Sequence, residues 1–311
     1  MVSVVVPVHN EERSVAQLAA ELERALADVG AWEAIFVDDG STDGTFAALT
    51  RLHAERDNVR VVRLRRNFGK AAALAAGFEH ALGDVVVTID GDLQDDPDEI
   101  PRLLAKLDEG FDLVCGWKTQ RRDPLVRRLL SRLFNLVASR LAGTRLHDMN
   151  CGLKAARAEA VRGLALYGEL HRFIPVLAHF DGYGVAELPV RHRPRPHGRS
   201  RYGPERYLRT FFDLMTVSFM GRYRYRPLHL FGTLGLLLGA VGTAVLAYLT
   251  VLKLGGQPIG HRPLLTLGIL LVVVGLQFFS LGLMGELLTS HHQERARTRD
   301  GKPAHVDEIL S

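Results

Sequence analysis

Short apolar runs that end in polar turns dominate the first hundred residues. The runs cover Val2–Val8, Ala34–Val37, Val59–Leu64 and Val85–Ile89, and each is followed by a polar turn and then a helical segment. Largely apolar runs of this length are typical of parallel strands buried on both faces. The repeat of strand, turn and helix therefore predicts an α/β fold with a mostly parallel sheet, flanking helices, and polar groups gathered along one rim.

Two much longer apolar runs occupy the C-terminal part of the chain. Leu230–Leu252 and Leu264–Gly285 contain no Asp, Glu, Lys or Arg, and each is long enough to cross a bilayer. Soluble helices rarely stay apolar on all sides over such a length. We therefore predict a hairpin of two transmembrane helices.

The distribution of basic residues predicts how this hairpin is oriented. The short loop between the spans carries only Lys253 and Arg262, whereas the outer flanks are more basic, with Arg222, Arg224, Arg226, Arg295, Arg297, Arg299 and Lys302. By the positive-inside rule, both termini and the N-terminal domain are expected to be cytoplasmic, at an inner or cytoplasmic membrane.

Two further segments, Pro124–Leu141 and Arg206–Met220, mix basic and apolar side chains. Segments of this kind beside membrane spans are typical of interfacial helices. The resulting organisation is a cytoplasmic domain over 1–203, an interfacial helix over 204–227, two transmembrane helices over 228–289 and a cytoplasmic tail over 290–311. Two isolated spans per chain also favour self-association into a homo-oligomer.

Composition and short motifs narrow the chemistry. The net charge is +4, and the basic clusters fit an anionic membrane surface better than nucleic acid, because no recognition motif accompanies them. Cys115 and Cys151 are far apart and show no metal-binding spacing, so we expect reduced, buried thiols. The chain contains neither G-x-G-x-x-G nor a P-loop nor a zinc motif, and its first residues enter a strand without a signal-peptide pattern.

The fourth strand leads into three oxygen-bearing side chains. Asp90, Asp92 and Gln94 follow it at alternate positions, where such sheets bind ligands beyond the carboxyl ends of their strands. Hard oxygen ligands suit Mg²⁺ or Mn²⁺, ions that keep coordination positions open for substrate phosphates. The spacing therefore favours a divalent metal that holds a diphosphate, although a solvated acidic turn has the same pattern.

Six ordered motifs together resemble a known family. They are VVVPVHNEE (4–12), VDDGSTDGT (37–45), RNFGKAAALAAGF (66–78), TIDGDLQDDP (88–97), DMNCGLK (148–154) and HGRSRYG (197–203). The chain resembles the family 2 glycosyltransferases with a GT-A fold. More narrowly, it is similar to the polyprenyl-phosphate glycosyltransferases, the relatives of dolichol-phosphate mannose synthase and of bactoprenol glucosyltransferases.

The resemblance implies a reaction and a donor site. The reaction is transfer of a sugar, with inversion, from a nucleotide-diphosphate sugar to a polyprenyl phosphate such as undecaprenyl or dolichyl phosphate. The nucleotide sugar is expected on Pro7, His9, Glu11, Asp39, Lys70, Asp90 and Gly91, with the metal on Asp90, Asp92 and Gln94. Asp39 is suited to accept hydrogen bonds from a base N–H or a ribose hydroxyl.

The acceptor is an anion that attacks without a strong base, so it chiefly needs positive charge. The expected acceptor-phosphate ligands are Lys118, Arg122, Arg128, Arg199, Ser200 and Arg201, of which Arg122, Arg128 and Arg201 are also candidate catalytic residues. Asp148 in the motif DMNCGLK has three interpretations: a general base, a residue that orients Lys154 or an arginine, or a turn cap.

Two alternative functions stay open at this stage. A processive membrane polysaccharide synthase shares the first half of these motifs, but it also carries a Q-x-x-R-W element that this chain lacks, and more membrane spans. An inactive sugar-nucleotide-binding scaffold would show degenerate motifs, whereas the acidic and basic elements are intact. The sequence does not select the sugar, UDP or GDP, or the carrier lipid.

Overall fold

The computed structural model describes residues 1–118, 146–194, 215–217, 219, 221, 226–259 and 263–300, with side chains through Thr289 in the last helix. The chain divides into two compact units, Met1–Ser218 and Phe219–Ser311. The first unit holds the sheet, and the second holds two long apolar helices.

A seven-stranded mixed sheet forms the centre of the first unit, in the order β3-β2-β1-β4-β6-β5-β7. Only β6 runs against its neighbours, pairing antiparallel with both β4 and β5. The strands are β1 (Val2–Val8), β2 (Trp32–Asp38), β3 (Val59–Arg63), β4 (Val85–Thr88), β5 (Leu113–Lys118), β6 (Lys154–Arg157) and β7 (Val185–Val190). The predicted mostly parallel α/β sheet is confirmed.

Helices cover both faces of the sheet. They are α1 (Val15–Ala25), α2 (Thr45–Glu55), α3 (Lys70–His80), α4 (Ile100–Leu107), α5 (Ala158–Arg162) and α6 (Ile174–Phe180), with 3₁₀ turns at Pro97–Glu99 and Leu170–Phe173. Alternate strand residues point to opposite faces, so Val4 and Val6 pack with α1, whereas Val5 packs with α3. This burial on both faces explains why the central strands are largely apolar in sequence.

The central strands place the polar turns at one edge. β1 lies between β2 and β4, and all three are parallel, so their carboxyl ends meet on the same rim of the sheet. α3 packs tightly against β1, since a Cβ on Gly77 would lie 2.2 Å from Val5 Cγ1. Both cysteines are fully buried, and burial raises the pKa of the Cys151 thiol to about 12 and that of Cys115 further still.

The second unit contains α7 (Pro227–Leu254) and α8 (Pro263–Asp300). Pro227–Leu254 and Pro263–Thr289 have mean hydropathies of 2.0 and 2.4 and are mostly exposed, so both are long and apolar enough to cross a membrane. The two helices pack through glycines: a Cβ on Gly235 would lie 2.6 Å from the carbonyl oxygen of Gly275. Such close backbone contact is typical of packed membrane helices, and these helices indicate membrane association.

Candidate active site

The turns after β1 and β2 hold each other through side chains. His9 Nδ1 lies 2.8 Å from the carbonyl oxygen of Asp39. The Asn10 backbone N–H donates to Ser41 Oγ at 3.0 Å, and Asn10 has a φ of 57°, a left-handed conformation that Asn tolerates better than most residues. The Glu11 backbone N–H donates to Thr45 Oγ1 at 2.9 Å. These contacts bring the predicted nucleotide-binding residues of both turns together, with Pro7 at the end of β1.

Asp39 fixes the loop that follows β3. Its carboxylate is 5% exposed and accepts hydrogen bonds from the backbone N–H groups of Phe68 at 2.7 Å and Gly69 at 2.9 Å. Each carboxylate oxygen accepts more than one hydrogen bond, so Asp39 can still accept one from a base or a ribose. That role stays a prediction. The observed role of Asp39 is to hold the start of α3.

Lys70, the first residue of α3, contacts the carboxylate that follows β4. Its Nζ donates a hydrogen bond to Asp90 Oδ1 within an ion pair, and both side chains are partly exposed. Glycine at position 152 allows close packing against this carboxylate, and glycine at position 91, the next residue, allows close packing against β1. A Cβ on Gly152 would lie 2.6 Å from Asp90 Cγ, and a Cβ on Gly91 would lie 2.6 Å from Val8 Cγ1.

Asp92 and Gln94 lie on a tight turn next to Asp90. Asp92 Oδ1 accepts a hydrogen bond from the Gln94 backbone N–H at 3.1 Å, and the residue between them, Leu93, is buried with a φ of 62°. A non-glycine residue in this region carries backbone strain, a feature that is concentrated at functional sites. Within the part of the chain that the structure describes, no three His, Cys, Asp or Glu side chains form a metal-binding group.

The residue directly after this turn, Asp95, belongs to a buried ion pair. Lys118 Nζ is 2.8 Å from Asp95 Oδ1, and His192 Nδ1 is 3.6 Å from the same oxygen. Burial of Asp95 opposes its ionisation, but the charge of Lys118, together with the polar contact of His192, outweighs it and holds the Asp95 pKa far below its usual range. Burial likewise acts against the charge of Lys118, yet Asp95 raises the Lys118 pKa above its ordinary value. Lys118, predicted as an acceptor ligand, is thus charged and paired in this structure.

Three arginines bind the carboxylates around this turn: Arg191 and Arg193 follow β7, and Arg102 lies on α4. The Arg193 backbone N–H donates to the Gln94 carbonyl oxygen at 2.8 Å, and its guanidinium bonds Glu21 at 2.7 Å and Asp96 at 2.6 Å. Arg191 and Arg102 both pair with the buried carboxylate of Glu99. Ion pairs with these arginines therefore fix the segment that contains Asp96 and Glu99.

Asp148 is buried and anchors two backbone segments. Its carboxylate, 2% exposed, accepts hydrogen bonds from the Asn150 N–H at 3.1 Å and from the Lys118 N–H at 3.4 Å. Its own backbone N–H donates to Glu187 at 2.9 Å, which also binds His147. The ammonium of Lys154 instead bonds the Cys151 carbonyl oxygen. These contacts agree with the turn-cap interpretation of Asp148.

Five predicted site residues, Arg122, Arg128, Arg199, Ser200 and Arg201, lie outside the described residues. The same holds for the segment 124–141, predicted to be interfacial, and for most of the second such segment, 206–220. Sequence reasoning missed the contributions of Asp95, His192, Arg193 and Glu187. Asp95 directly follows Gln94, so its position next to the predicted metal ligands was a signal in the sequence. His192, which contacts Asp95, and Arg193, which bonds the turn before it, are almost a hundred residues away in sequence, and no local pattern shows such pairing.

Comparison with known proteins places these features in a family. The chain is 41% identical over 294 residues to the dodecaprenyl-phosphate galacturonate synthase of Rhizobium johnstonii, covering 92% of this chain and 87% of the relative. It is 36% identical over 303 residues to the undecaprenyl-phosphate 4-deoxy-4-formamido-L-arabinose transferase of Salmonella paratyphi B, covering 96% of this chain and 91% of the relative. Both alignments include the two C-terminal apolar helices.

Solved structures agree with the fold. Glucosyl-3-phosphoglycerate synthase from Mycobacterium tuberculosis, in complex with phosphoglyceric acid, matches with a TM-score of 0.55 and 25% identity over 71% of this chain and 79% of that one. The same enzyme solved with Mn²⁺, UDP-glucose and phosphoglyceric acid matches with a TM-score of 0.53 and 26% identity, with the same coverage. The profile of "Glycosyl transferase family 2" matches residues 3–164. The chain therefore belongs to glycosyl transferase family 2, and it is a glycosyltransferase with a GT-A-like fold.

Proposed function

We propose that this protein transfers a sugar from a nucleotide-diphosphate sugar to the phosphate of a polyprenyl carrier, with inversion at the anomeric carbon. The observation that carries the proposal is the similarity, along almost the whole chain and through both apolar helices, to two transferases named for polyprenyl-phosphate products. The positions of the carboxylates at the carboxyl ends of β1, β2 and β4 support it independently.

A divalent metal fits the donor side of this site. The available donors are hard oxygens on Asp90, Asp92 and Gln94, and Gly152 leaves space beside Asp90 that a Cβ would fill. Mg²⁺ or Mn²⁺ bound there would neutralise the leaving diphosphate. A solved relative of similar fold holds Mn²⁺ with UDP-glucose, which supports this assignment. Two carboxylates and an amide suit an ion that shares its remaining positions between water and substrate phosphate.

The residues of the chain supply binding and orientation. The turn of His9 and Glu11, with the Asp39 loop, is assigned to the nucleotide, and Lys70 and Asp90 to the diphosphate sugar. A phosphate oxygen of the carrier forms the new bond to the anomeric carbon while the bond from that carbon to the nucleoside diphosphate breaks. Since the acceptor is already ionised, this step requires no strong general base. We assign Asp148 to positioning, because its carboxylate is buried and caps two backbone segments.

The acceptor side is assigned to Lys118 and to polar residues that follow β5 and β7 in the sequence. Lys118 lies at the end of β5, and Arg122, Arg128, Arg199, Ser200 and Arg201 are assigned with it by their motifs. The two apolar helices would place this domain at a membrane surface, where the carrier lipid resides. We further propose the hairpin topology with both termini cytoplasmic, which rests on the basic flanks of the spans. Self-association remains a prediction.

A transfer assay tests the proposal. The purified protein in detergent would be mixed with undecaprenyl or dodecaprenyl phosphate, Mn²⁺ or Mg²⁺, and a panel of radiolabelled UDP- and GDP-sugars that includes galacturonate and 4-deoxy-4-formamido-L-arabinose. We expect label from one donor in the organic phase, lost on addition of EDTA. Label that enters a water-soluble polymer instead would overturn the acceptor assignment and favour a polysaccharide synthase.

A further inference from the structure

The cation next to Asp90 is supplied by the protein itself. Lys70 Nζ bonds Asp90 Oδ1, and Asp90 is one of the carboxylates assigned above to the divalent metal. Both side chains are about one-third exposed, at 30% and 31%, so water and ions reach the pair. A lysine ammonium and a metal ion compete for the same carboxylate oxygen, because each neutralises the same negative charge.

The backbone before α3 positions Lys70 next to Asp90. The Asp39 carboxylate binds the N–H groups of Phe68 and Gly69, and Gly69 turns the chain with a φ of 94° into the first residue of α3. The start of the helix is thus fixed, while the long side chain of Lys70 keeps its rotatable bonds. Lys70 is therefore held within reach of Asp90 by backbone contacts that do not depend on the ion pair.

We propose that Lys70 occupies the Asp90 carboxylate in the substrate-free protein, so that the divalent ion binds weakly alone and strongly together with the nucleoside diphosphate. This inference rests on the proposed function. The diphosphate brings negative charge that gives the ammonium of Lys70 an alternative to Asp90, which releases Asp90 to the metal. Binding of the ion and of the nucleotide is then cooperative, and each raises the affinity for the other by the same factor.

The size of the effect follows from the occupancy of the ion pair. The apparent dissociation constant of a ligand rises in inverse proportion to the fraction of protein that is competent to bind it. If the Lys70–Asp90 pair forms about nine-tenths of the time, it weakens binding of the free ion about tenfold. Removing the ammonium should therefore tighten metal binding, the opposite of what a general loss of structure would produce.

The test measures Mn²⁺ binding to the full-length protein in detergent, from the electron paramagnetic resonance signal of the free ion. We expect Lys70→Met to bind Mn²⁺ about tenfold more tightly than wild type without nucleotide, and Lys70→Arg to behave like wild type. Lys106→Met is the matched control, since Lys106 is also paired with a carboxylate and is 29% exposed, but on α4. It should leave Mn²⁺ affinity unchanged.

The second arm repeats the titration with saturating UDP or GDP. In wild type the nucleotide should strengthen Mn²⁺ binding about tenfold more than it does in Lys70→Met. Unchanged or weaker Mn²⁺ binding in Lys70→Met, or no Mn²⁺ binding by either protein, would overturn the inference. The transfer assay is separate: transfer without the Lys70 effect leaves the proposed function standing, and the Lys70 effect without transfer leaves only the inference standing.

Discussion

The two edges of the sheet use carboxylates in opposite ways. At the edge where the parallel strands begin, Glu33 is 6% exposed and accepts hydrogen bonds from Ser3 Oγ at 2.6 Å, the Leu82 N–H at 2.8 Å and Arg60 at 3.0 Å. At the edge where they end, Asp90 is 31% exposed and pairs with the long, flexible side chain of Lys70. A carboxylate surrounded by fixed donors stabilises the fold, whereas one with an exchangeable partner is available to a ligand.

The largest expected effect is at Asp92, which lies on the same edge of the sheet as Asp90. Replacing it by Ala removes one of two carboxylates assigned to the metal, and we expect polyprenyl-phosphate transfer to fall about a thousandfold, because a bound ion stabilises the leaving group by several kcal/mol. The transfer assay measures this loss. Asp98→Ala is the control, since Asp98 lies six residues further on in an exposed ion pair with Arg24. An Asp92→Ala variant with full EDTA-sensitive activity would contradict the metal assignment.

At the other edge, Glu33→Ala should change stability rather than chemistry. The substitution leaves Ser3 Oγ and the Leu82 N–H without this acceptor and leaves Arg60 with the His80 carbonyl oxygen, so we expect a loss of about 3 kcal/mol in the free energy of unfolding. Thermal unfolding in detergent would show it as a lower Tm, with kcat of the folded protein retained. Glu23→Ala, which breaks the exposed pair with Arg56, should cost less than about 1 kcal/mol. A large fall in kcat would remove the distinction between the two edges.

Acid should weaken the Glu33 contribution. Burial acts to raise the pKa of Glu33, but hydrogen bonds from Ser3, Leu82 and Arg60 outweigh it and hold the pKa below its ordinary value. The folded protein thus binds fewer protons at this site than the unfolded chain, so the stabilisation is present above the unfolded pKa, about 4.3, and is lost as pH falls through the lower folded value. The Tm difference between wild type and Glu33→Ala should be constant from pH 7 to about 5.5 and shrink below about pH 4.3. A difference that grows in acid would contradict this.

The smallest expected effect concerns Asp148→Asn. Asn keeps a side-chain oxygen that accepts from the Asn150 or Lys118 N–H, so a positioning residue should retain kcat within about tenfold, whereas loss of a general base costs about 10²- to 10⁴-fold. Single-turnover transfer rates distinguish the two outcomes. A loss of the larger size, with an unchanged Tm, would restore the base interpretation of Asp148.

Local pattern was sufficient for much of the fold. The first four strands and the turns that follow them were predicted from apolar runs, because strands buried on both faces leave a continuous signal. The position of Asp90 and Asp92 beyond β4 followed from the same reasoning. The insertion of β6 between β4 and β5 was not foreseen, because it depends on pairings such as Thr88 with Lys154 that are distant in sequence.

The site was predictable in part for the same reason. Asp39 was selected as a ligand-facing acceptor, yet its observed contacts are with the Phe68 and Gly69 N–H groups, which only the folded loop brings close. The pairing of Asp95 with Lys118 and His192 also depends on three separate segments. Residue type indicated which side chains carry charge, but the partner of each charge is a property of the tertiary structure.

The two buried cysteines have a practical consequence for the membrane arrangement. Cys115 and Cys151 are the only cysteines in the sequence, and both are shielded from solvent with thiols that resist ionisation. A maleimide, which reacts with the thiolate, should therefore leave the native chain unlabelled. A single cysteine introduced at exposed Gln257, between the two apolar helices, would then report from intact cells which side of the bilayer that loop faces.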